Sequence, residues 1–401
     1  MDVRLAIVGG KLQGLEAVYL AKKAGFKSIL IDKRQDVPAV SLAAEFHNID
    51  VVKEQDKTKK LLKDVDGVVP ALENYNALHV LKKLCKDLGK YYLQDNKAFL
   101  ITSKKDHFLK FCDAIKLPYP KLFPDNFPVI VKPVKGSGSK DVYLVKSKEE
   151  LDKLMQALNG HKKKVLVQEC AHGFFLSLEL LGLNGLPLPL QVTCLEFDAH
   201  YSCKRVLAPF PIEWATTETL RLGERLVCGL QLTGLTDIQV VAEDNGSVKV
   251  IEANARLPSQ TPTVVYHSTG VNILQKLFEL FREGIPSKVV INPRNAVIYQ
   301  HVAIVDKTLH IVGERVLSSA TNLELKRKFF GVEEAITNFD SAKNKTIVST
   351  LISCGKNLTE AKEKMERALE LIVSEYDLKG AIDTSPPNVR CYYDQINVKR
   401  C

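Results

Sequence analysis

The sequence predicts an α/β amino-terminal lobe built on a parallel sheet, followed by an α+β body, and three observations carry that prediction. An apolar run at 4–10 (RLAIVGG) ends in a glycine turn and is followed by a helical repeat and a second apolar run. Beyond about residue 95 the pattern changes to strands separated by turn residues, with only occasional helices. The chain has 401 residues, against roughly 100 to 200 for one domain, so two to four lobes are expected.

In order along the chain, residues 4–10, 28–33 (SILIDK) and 65–72 (VDGVVPAL) read as buried strands, and 15–25 as the helix joining the first two. Asn76 to Gly89 continues as an amphipathic helix, which makes residues 1–90 a small Rossmann-like lobe. A new unit opens near Asp95. Its helix, KKDHFLKFCDAI, is broken by Leu117-Pro118-Tyr119-Pro120. PVIVKPV, a Gly/Ser loop, DVYLVKS, a helix at 148–158 and VLVQEC then read as antiparallel sheet plus helix. Several strands and one helix, at about 217–231, fill residues 175–257. The last third, 291–401, is mixed, with a long amphipathic helix at 358–377.

Composition narrows the function classes. Nowhere do about 18 apolar residues follow one another without charge, so no membrane span is expected, and the first apolar run is too short for a signal peptide. A cytoplasmic protein is the expectation. Nine scattered cysteines without a C-x-x-C pair read as reduced core thiols, with no metal or disulfide assigned. The net charge of +9, with its local cluster at Lys57 to Lys63, lacks the aromatic interleaving of nucleic-acid readers; anionic small substrates account for it, and the cluster reads as a solvated helix face.

Gly9, Gly10 and Gly14 lie between a strand and a helix, where a tight turn lets a helix N-terminus face an anion, and Asp32 closes the next strand. The spacing is G-G-x-x-x-G, not G-x-G-x-x-G, and Lys11 stands where a dinucleotide fold wants a small residue. A small-ligand or nucleotide-edge site and a purely structural turn both remain open, with a nicotinamide site behind them.

Lys132, in VIVKP, precedes Gly136-Ser137-Gly138-Ser139 by four residues. A lysine at a strand end holds phosphates as a point charge, and a flexible loop lays backbone N–H groups over the terminal phosphate. No G-K-[ST] follows, so this is not a Walker A loop; a plain surface hairpin explains GSGS as well. Lys104 offers a second cation, or a surface lysine. Glu169 ends the strand VLVQE, where it suits a ribose, or simply solvent.

The segment LTDIQVVAEDNGSVKVIEANARL contains two β-rich runs joined at Asn245-Gly246, a signal for a two-residue hairpin. With Asp244 opposite Ser247, the ladder puts Gln239 opposite Glu252 and Asp237 opposite Asn254, all on one face. Four oxygen-bearing side chains on an otherwise apolar sheet are costly to bury without a partner. Magnesium, which prefers hard oxygens and bridges protein groups to ATP phosphates, is a suitable one, and Arg256 on the same face can neutralise a transferring phosphoryl group. The bland alternative is a polar hairpin end satisfied by its neighbours.

In this order K…VKP-x-x-GSGS…VQE…IQ…IEANAR resembles the ATP-grasp superfamily of carboxylate–amine ligases over about residues 100–260. The resemblance implies an ATP-grasp fold at 91–290 (lobes of about 100–168 and 169–290), behind a Rossmann-like pre-ATP-grasp domain at 1–90, with the mixed region 291–401 packing on the core. GGKLQG, PALENY, CKRV and NARLPSQTP look like the family of pyrrolysine-biosynthesis ligases that join an ornithine-type amino acid to L-lysine. By resemblance Lys104, Lys132, Ser139 and Glu169 contact ATP, with Lys11, Asp32 and Asp50 near the nucleotide, and Gln239, Glu252 and Asn254 bind Mg2+. Glu179 and Leu257, Pro258, Ser259, Gln260 and Thr261 line the ornithine-type substrate; Leu12, Gln13 and Glu73 receive lysine. Arg205 holds a substrate carboxylate or phosphate, or else snorkels from a strand. Many loops of the superfamily have glycine where this chain has Asp141, which accepts a positive φ less readily.

The expected reaction is formation of an acyl phosphate, stabilised by Lys132 and Arg256 as the catalytic pair, followed by attack of an amine. Small amino acids are the expected partners, without nucleic acid or membrane; a homodimer is compatible with the sequence. A purine-type or dipeptide-type ATP-grasp ligase and an NAD-dependent oxidoreductase are the competing readings.

Overall fold

In the computed structural model, which describes residues 3–136, 138–159, 164–284, 291–339 and 347–397, the amino-terminal lobe carries a parallel sheet of five strands. Their order is Glu45–Asn48, Lys27–Asp32, Arg4–Val8, Gly67–Pro70 and Tyr91–Tyr92. The central strands are buried on both faces, with Leu5, Ala6 and Ile7 at 0% exposure, which is why they read as unbroken apolar runs. Helix Tyr75–Leu88 begins where the Asn74 side chain accepts from Ala77 N and ends at Gly89 in the left-handed conformation.

The first helix starts earlier than the glycine spacing suggests, at Leu12, and runs to Lys23. Gly14 therefore lies in its first turn, where a Cβ would come within 1.9 Å of Gly9 O; at Gly9 itself, φ is +107° and a Cβ would meet Ala71 O at 2.4 Å. These two glycines bring helix and strand ends into contact. The edge strand Glu45–Asn48 and the helix Gln55–Leu62, which contains part of the lysine cluster, complete this lobe.

A small antiparallel sheet, Tyr143–Val145, Val129–Pro133 and Val165–Glu169, forms one jaw of the body with helices Lys105–Ala114 and Lys148–Asn159. The other jaw is an eleven-stranded sheet. Its main path runs Val248–Asn254, Gly234–Glu243, Gly173–Leu183, Leu186–Phe197, Cys203–Ala208, Ala296–Val305, Ile347–Gly355, Glu334–Thr337 and Glu324–Arg327. The carboxy-terminal strands thus extend this sheet by edge-to-edge pairing, Arg205 opposite Gln300 and Val297 opposite Cys354, as well as packing on it. Helix Glu213–Leu230 covers one face, and Thr261–Thr269 and Ile273–Glu283 pack between the sheet and the amino-terminal lobe. No helix among the described residues is long and apolar enough to cross a membrane. The eight described cysteines are free thiols, and Cys401 lies outside the described residues.

Candidate active site

The hairpin Gly234–Glu243 and Val248–Asn254 organises the site. Its tip differs from the sequence expectation: Glu243 N donates to Ser247 O at 2.8 Å, so three residues, not two, make the turn. Near the tip Val240 faces Val250; beyond a register shift Gln239 faces Glu252 and Asp237 faces Asn254. The extra residue is Ile251, a β-bulge. With a three-residue tip and no bulge, Gln239 would face Ile251; the bulge restores the polar cluster and turns Ile251 into the neighbouring cavity.

Asp237 sits at the centre of that cluster. Its Oδ2 accepts from Gln239 Nε2 at 3.2 Å and Asn254 Nδ2 at 3.3 Å, while Oδ1 is buried without a partner. Burial first, and then the Glu252 carboxylate, push its pKa up to about 6 against the pull of Arg256. A buried acid with an orphaned oxygen amid further oxygen donors is a setting that a hard cation relieves. Among the described residues no three His, Cys, Asp or Glu side chains are grouped to hold a metal alone. A cation held by Gln239, Glu252 and Asn254 would therefore take further ligands from a bound phosphate or water.

Three cavities meet here. The first, about 110 Å3, lies between the jaws with apolar walls that include Ile130, Val142, Phe175 and Ile251, and with Lys132, Lys105 and Glu169 on its polar side. Burial draws the Lys132 pKa down to about 8, Glu252 opposing and Lys105 adding to the shift. Of the two neighbouring lysines, Lys105 is the one that borders the first cavity. Lys104 is bridged to Lys135 in extended backbone and lines none of these cavities, whereas Lys105 Nζ donates to Gly136 O at 2.8 Å and faces the first. Glu169 is ion-paired with Lys249, which also reaches Glu243 at 2.8 Å.

The glycine loop borders all three cavities; Ser137 lies outside the described residues. Ser139 and Asp141 both adopt positive φ, +54° and +60°, so the aspartate takes up the conformation expected of glycine, at a cost of roughly 1–2 kcal/mol. Arg315 Nε donates to Gly138 O at 2.7 Å and ties the loop to the carboxy-terminal region.

The second cavity, about 590 Å3, opens onto the amino-terminal lobe and is lined by Lys11, Leu12, Gln13, Asp32, Asp50 and Glu73. Asp32 accepts from Gly10 N at 2.8 Å and is bridged to Arg34 at 3.0 Å. Burial works to raise its pKa, but these donors hold it below the usual value, so its lone pairs brace the turn. Asp50 Oδ1 likewise accepts from Val52 N. At the inner end, Glu73 Oε1 accepts from Gln13 Nε2 at 3.2 Å and Arg256 Nε at 2.9 Å. Arg256 borders this cavity and the third, about 80 Å3, which Pro258, Ser259, Gln260 and Thr261 line together with Asp237, Gln239, Glu252 and Asn254.

Three expected substrate residues lie elsewhere. Leu257 is 3% exposed in the apolar core. Glu179 is fully buried behind Asp237, its cross-strand neighbour, where desolvation pushes its pKa up to about 8. Arg205 is buried in the carboxy-terminal packing, bonded to Glu196, to Gln300 at 2.6 Å and to Asp383 at 2.6 Å, with its guanidinium 3.8 Å from the centre of the Tyr393 ring. Three of its N–H groups are spent in that packing, and it borders none of the three cavities. Conversely, the structure brings in Lys105, Glu314 and Asn388. Lys105 was legible as the neighbour of Lys104; Glu314 and Asn388 carry no local signal, because only long-range pairing brings them here.

Two jaws of sheet closing on a cleft lined by lysines, a glycine loop and an oxygen-rich hairpin define an ATP-grasp enzyme, and the ATP-grasp domain family matches residues 101–260. The biotin carboxylase domain of Hydrogenobacter thermophilus 2-oxoglutarate carboxylase, solved with MgADP, ADP and bicarbonate, superimposes with a TM-score of 0.69 at 16% identity, over 92% of this chain and 89% of that one. The 3-methyl-D-ornithine–L-lysine ligases of Methanosarcina acetivorans and Methanosarcina barkeri are each 32% identical over 369 residues, 92% of this chain and 97% of theirs. The chain belongs to this family of ATP-grasp ligases. That kinship sets aside the NAD-dependent reading, for which Asp32, already bridged to Arg34, offers little.

Proposed function

We propose that this chain uses MgATP to activate the carboxylate of a 3-methyl-D-ornithine-type amino acid as an acyl phosphate and joins it to the ε-amine of L-lysine. The observation that carries the reading is the position of Arg256, on the polar hairpin between the amine-side cavity and the cavity edged by the NARLPSQTP segment; the near-full-length kinship supports the choice of substrates.

In this reading the adenine lies against Ile130, Phe175 and Ile251, with Lys132, Lys105 and the Ser139 loop on the phosphates. Gln239, Glu252 and Asn254 would hold Mg2+, which when bound would neutralise phosphate charge. Arg256 stabilises the equatorial oxygens as the substrate carboxylate attacks the γ-phosphorus and the bond to ADP breaks. Glu73 and Gln13 receive the lysine; Gln13 Oε1 is buried without a partner and is available to a ligand N–H.

The direct test is ADP release and product mass with MgATP, L-lysine and 3-methyl-D-ornithine or D-ornithine. A dipeptide mass, with ADP formed only when both amino acids are present, is expected; tight ATP binding without turnover on any amino-acid pair would reject the substrate assignment.

Lys132 gives a pH prediction. Unfolded, a lysine titrates near 10.4; folded, Lys132 titrates at about 8. Between those values the unfolded chain holds a proton that the folded chain has lost, so this residue's contribution to stability rises with pH while its attraction for phosphate falls. MgATP affinity should weaken above pH 8, by up to about tenfold per unit for one proton. Titration calorimetry from pH 7 to 9.5 checks this, and Lys132→Arg, charged throughout, should flatten the slope.

A further inference from the structure

The amine that attacks an acyl phosphate must first lose a proton, and we propose that Glu314 is the carboxylate that binds the incoming ammonium and accepts that proton. This rests on the ligase reading above and deepens it. Glu314 is the one carboxylate among the described residues that lines both the amine-side cavity and the third cavity without being an expected cation ligand or the partner of another charged group in the structure.

Its placement is built. Gly313 N donates to Asp198 Oδ2 at 2.8 Å, and a Cβ on Gly313 would come within 2.2 Å of Ser202, so the backbone is seated tightly one residue before the carboxylate. Ser259 Oγ donates to Glu314 Oε2 at 2.6 Å, which orients the group from the segment that edges the third cavity and leaves Oε1 for a ligand. The other carboxylates nearby are committed. Glu73 is bridged to Arg256 and, on the reading above, holds the far end of the lysine; Asp237 takes the amides of Gln239 and Asn254 on one oxygen and has the other buried, away from the amine-side cavity; Glu252 lies on the cation hairpin; Glu16, packed behind Glu314, accepts from Thr263 N at 2.6 Å and Thr263 Oγ1 at 2.7 Å. Behind it also lie Tyr299 and Cys203, which burial keeps uncharged. Of these carboxylates, Glu314 alone borders both cavities.

The chemistry balances. One proton passes from the ε-ammonium to Glu314, and the freed lone pair forms the C–N bond at the acyl carbon. The C–O bond to phosphate breaks with its electron pair going to the leaving oxygen, and the second amine proton leaves with the phosphate. Glu314 then returns its proton to water. A positioned general base contributes about 10^2- to 10^4-fold.

The experiment compares the whole chain with its Glu314→Gln variant in two assays. Hydroxylamine, uncharged at neutral pH, replaces lysine in the first and traps the acyl phosphate as a hydroxamate; lysine is used in the second. The variant should form hydroxamate at a rate within about twofold of wild type, while dipeptide formation falls by about 10^2- to 10^4-fold. Its residual ligation should climb about tenfold per pH unit toward the lysine pKa near 10.4, as free amine replaces the missing base. Equal loss in both assays, unchanged ligation, or a pH profile identical to wild type would each overturn the assignment. Absence of hydroxamate from wild type with any amino acid would instead take down the ligase reading and this inference with it, a separate outcome from the others.

Discussion

Replacing Glu252 with glutamine is expected to lower ADP formation by about 10^2- to 10^3-fold, the loss typical when one preorganised electrostatic contact to a transition state is removed. Glu252 is the charged member of the cluster with Gln239 and Asn254, and both amides bond to Oδ2 of the neighbouring Asp237. The amide keeps the shape but removes the charge, so the apparent Mg2+ requirement should rise along with the fall in kcat. Folding should not suffer. Glu252 helps to hold the Asp237 pKa up at about 6, second to burial. An acid with a raised folded pKa loses stability as pH rises from its unfolded value, near 3.9, through its folded one, so above pH 6 the full penalty is present. Removing the like charge lightens it but also takes an attractive partner from Lys132 and Arg256, so the melt at pH 7 should move little. A Mg2+ titration of ADP release with a parallel thermal melt decides the matter: wild-type turnover at ordinary Mg2+ would remove Glu252 from the phosphoryl site, and a collapsed melt would make its role structural.

How far this site could be read beforehand depended on distance along the chain. The strands Arg4–Val8 and Lys27–Asp32 were visible because burial on both faces leaves an unbroken apolar run. The edge strand Glu45–Asn48 was not: EFHN is part-exposed along its length and carries no such run. The hairpin shows how local counting gets a right pairing from a wrong turn. Alternation brings Gln239 and Glu252 together for a two-residue tip, and the structure reaches the same pairing with a longer tip and a bulge at Ile251. Bulges leave little trace in sequence, because the extra residue here is as apolar as its neighbours. Lys104 and Lys105 differ by one position, and only the bridge to Lys135 decides which faces the cleft. Glu314, Arg315 and Asn388 were out of reach. The first two reach the site because the strand Ala296–Val305 pairs beside Cys203–Ala208 and carries the following turn across it, and Asn388 because its backbone bonds to Gly173.

Arg205 illustrates the opposite error, and its removal carries a large expected stability effect. Arg205→Ala should destabilise the fold by about 3–5 kcal/mol, because it leaves Glu196, itself at 0% exposure, buried without its cation. The residue joins the ligase sheet to the carboxy-terminal region: Glu196 and Gln300 bind it from the flanking strands, Asp383 from the last strand, and Tyr393 packs over its face. Asp383 is held below the usual carboxylate range; burial acts to raise it, but Arg205 and Lys204 prevail. The carboxylates and the planar fork form a packed lock, and an isolated sequence motif, CKRV, looks the same whether its arginine faces a ligand or a lock. The two roles separate in measurement. A lock predicts a lower urea midpoint for Arg205→Ala, and a partial return of stability when Glu196→Leu is added, since the orphaned charge goes with it. A ligand role predicts an unchanged midpoint and a raised KM. Because the strand pair that Arg205 locks also delivers Glu314 to the site, loss of the lock should loosen that residue, so activity should fall at temperatures where the sheet is still folded.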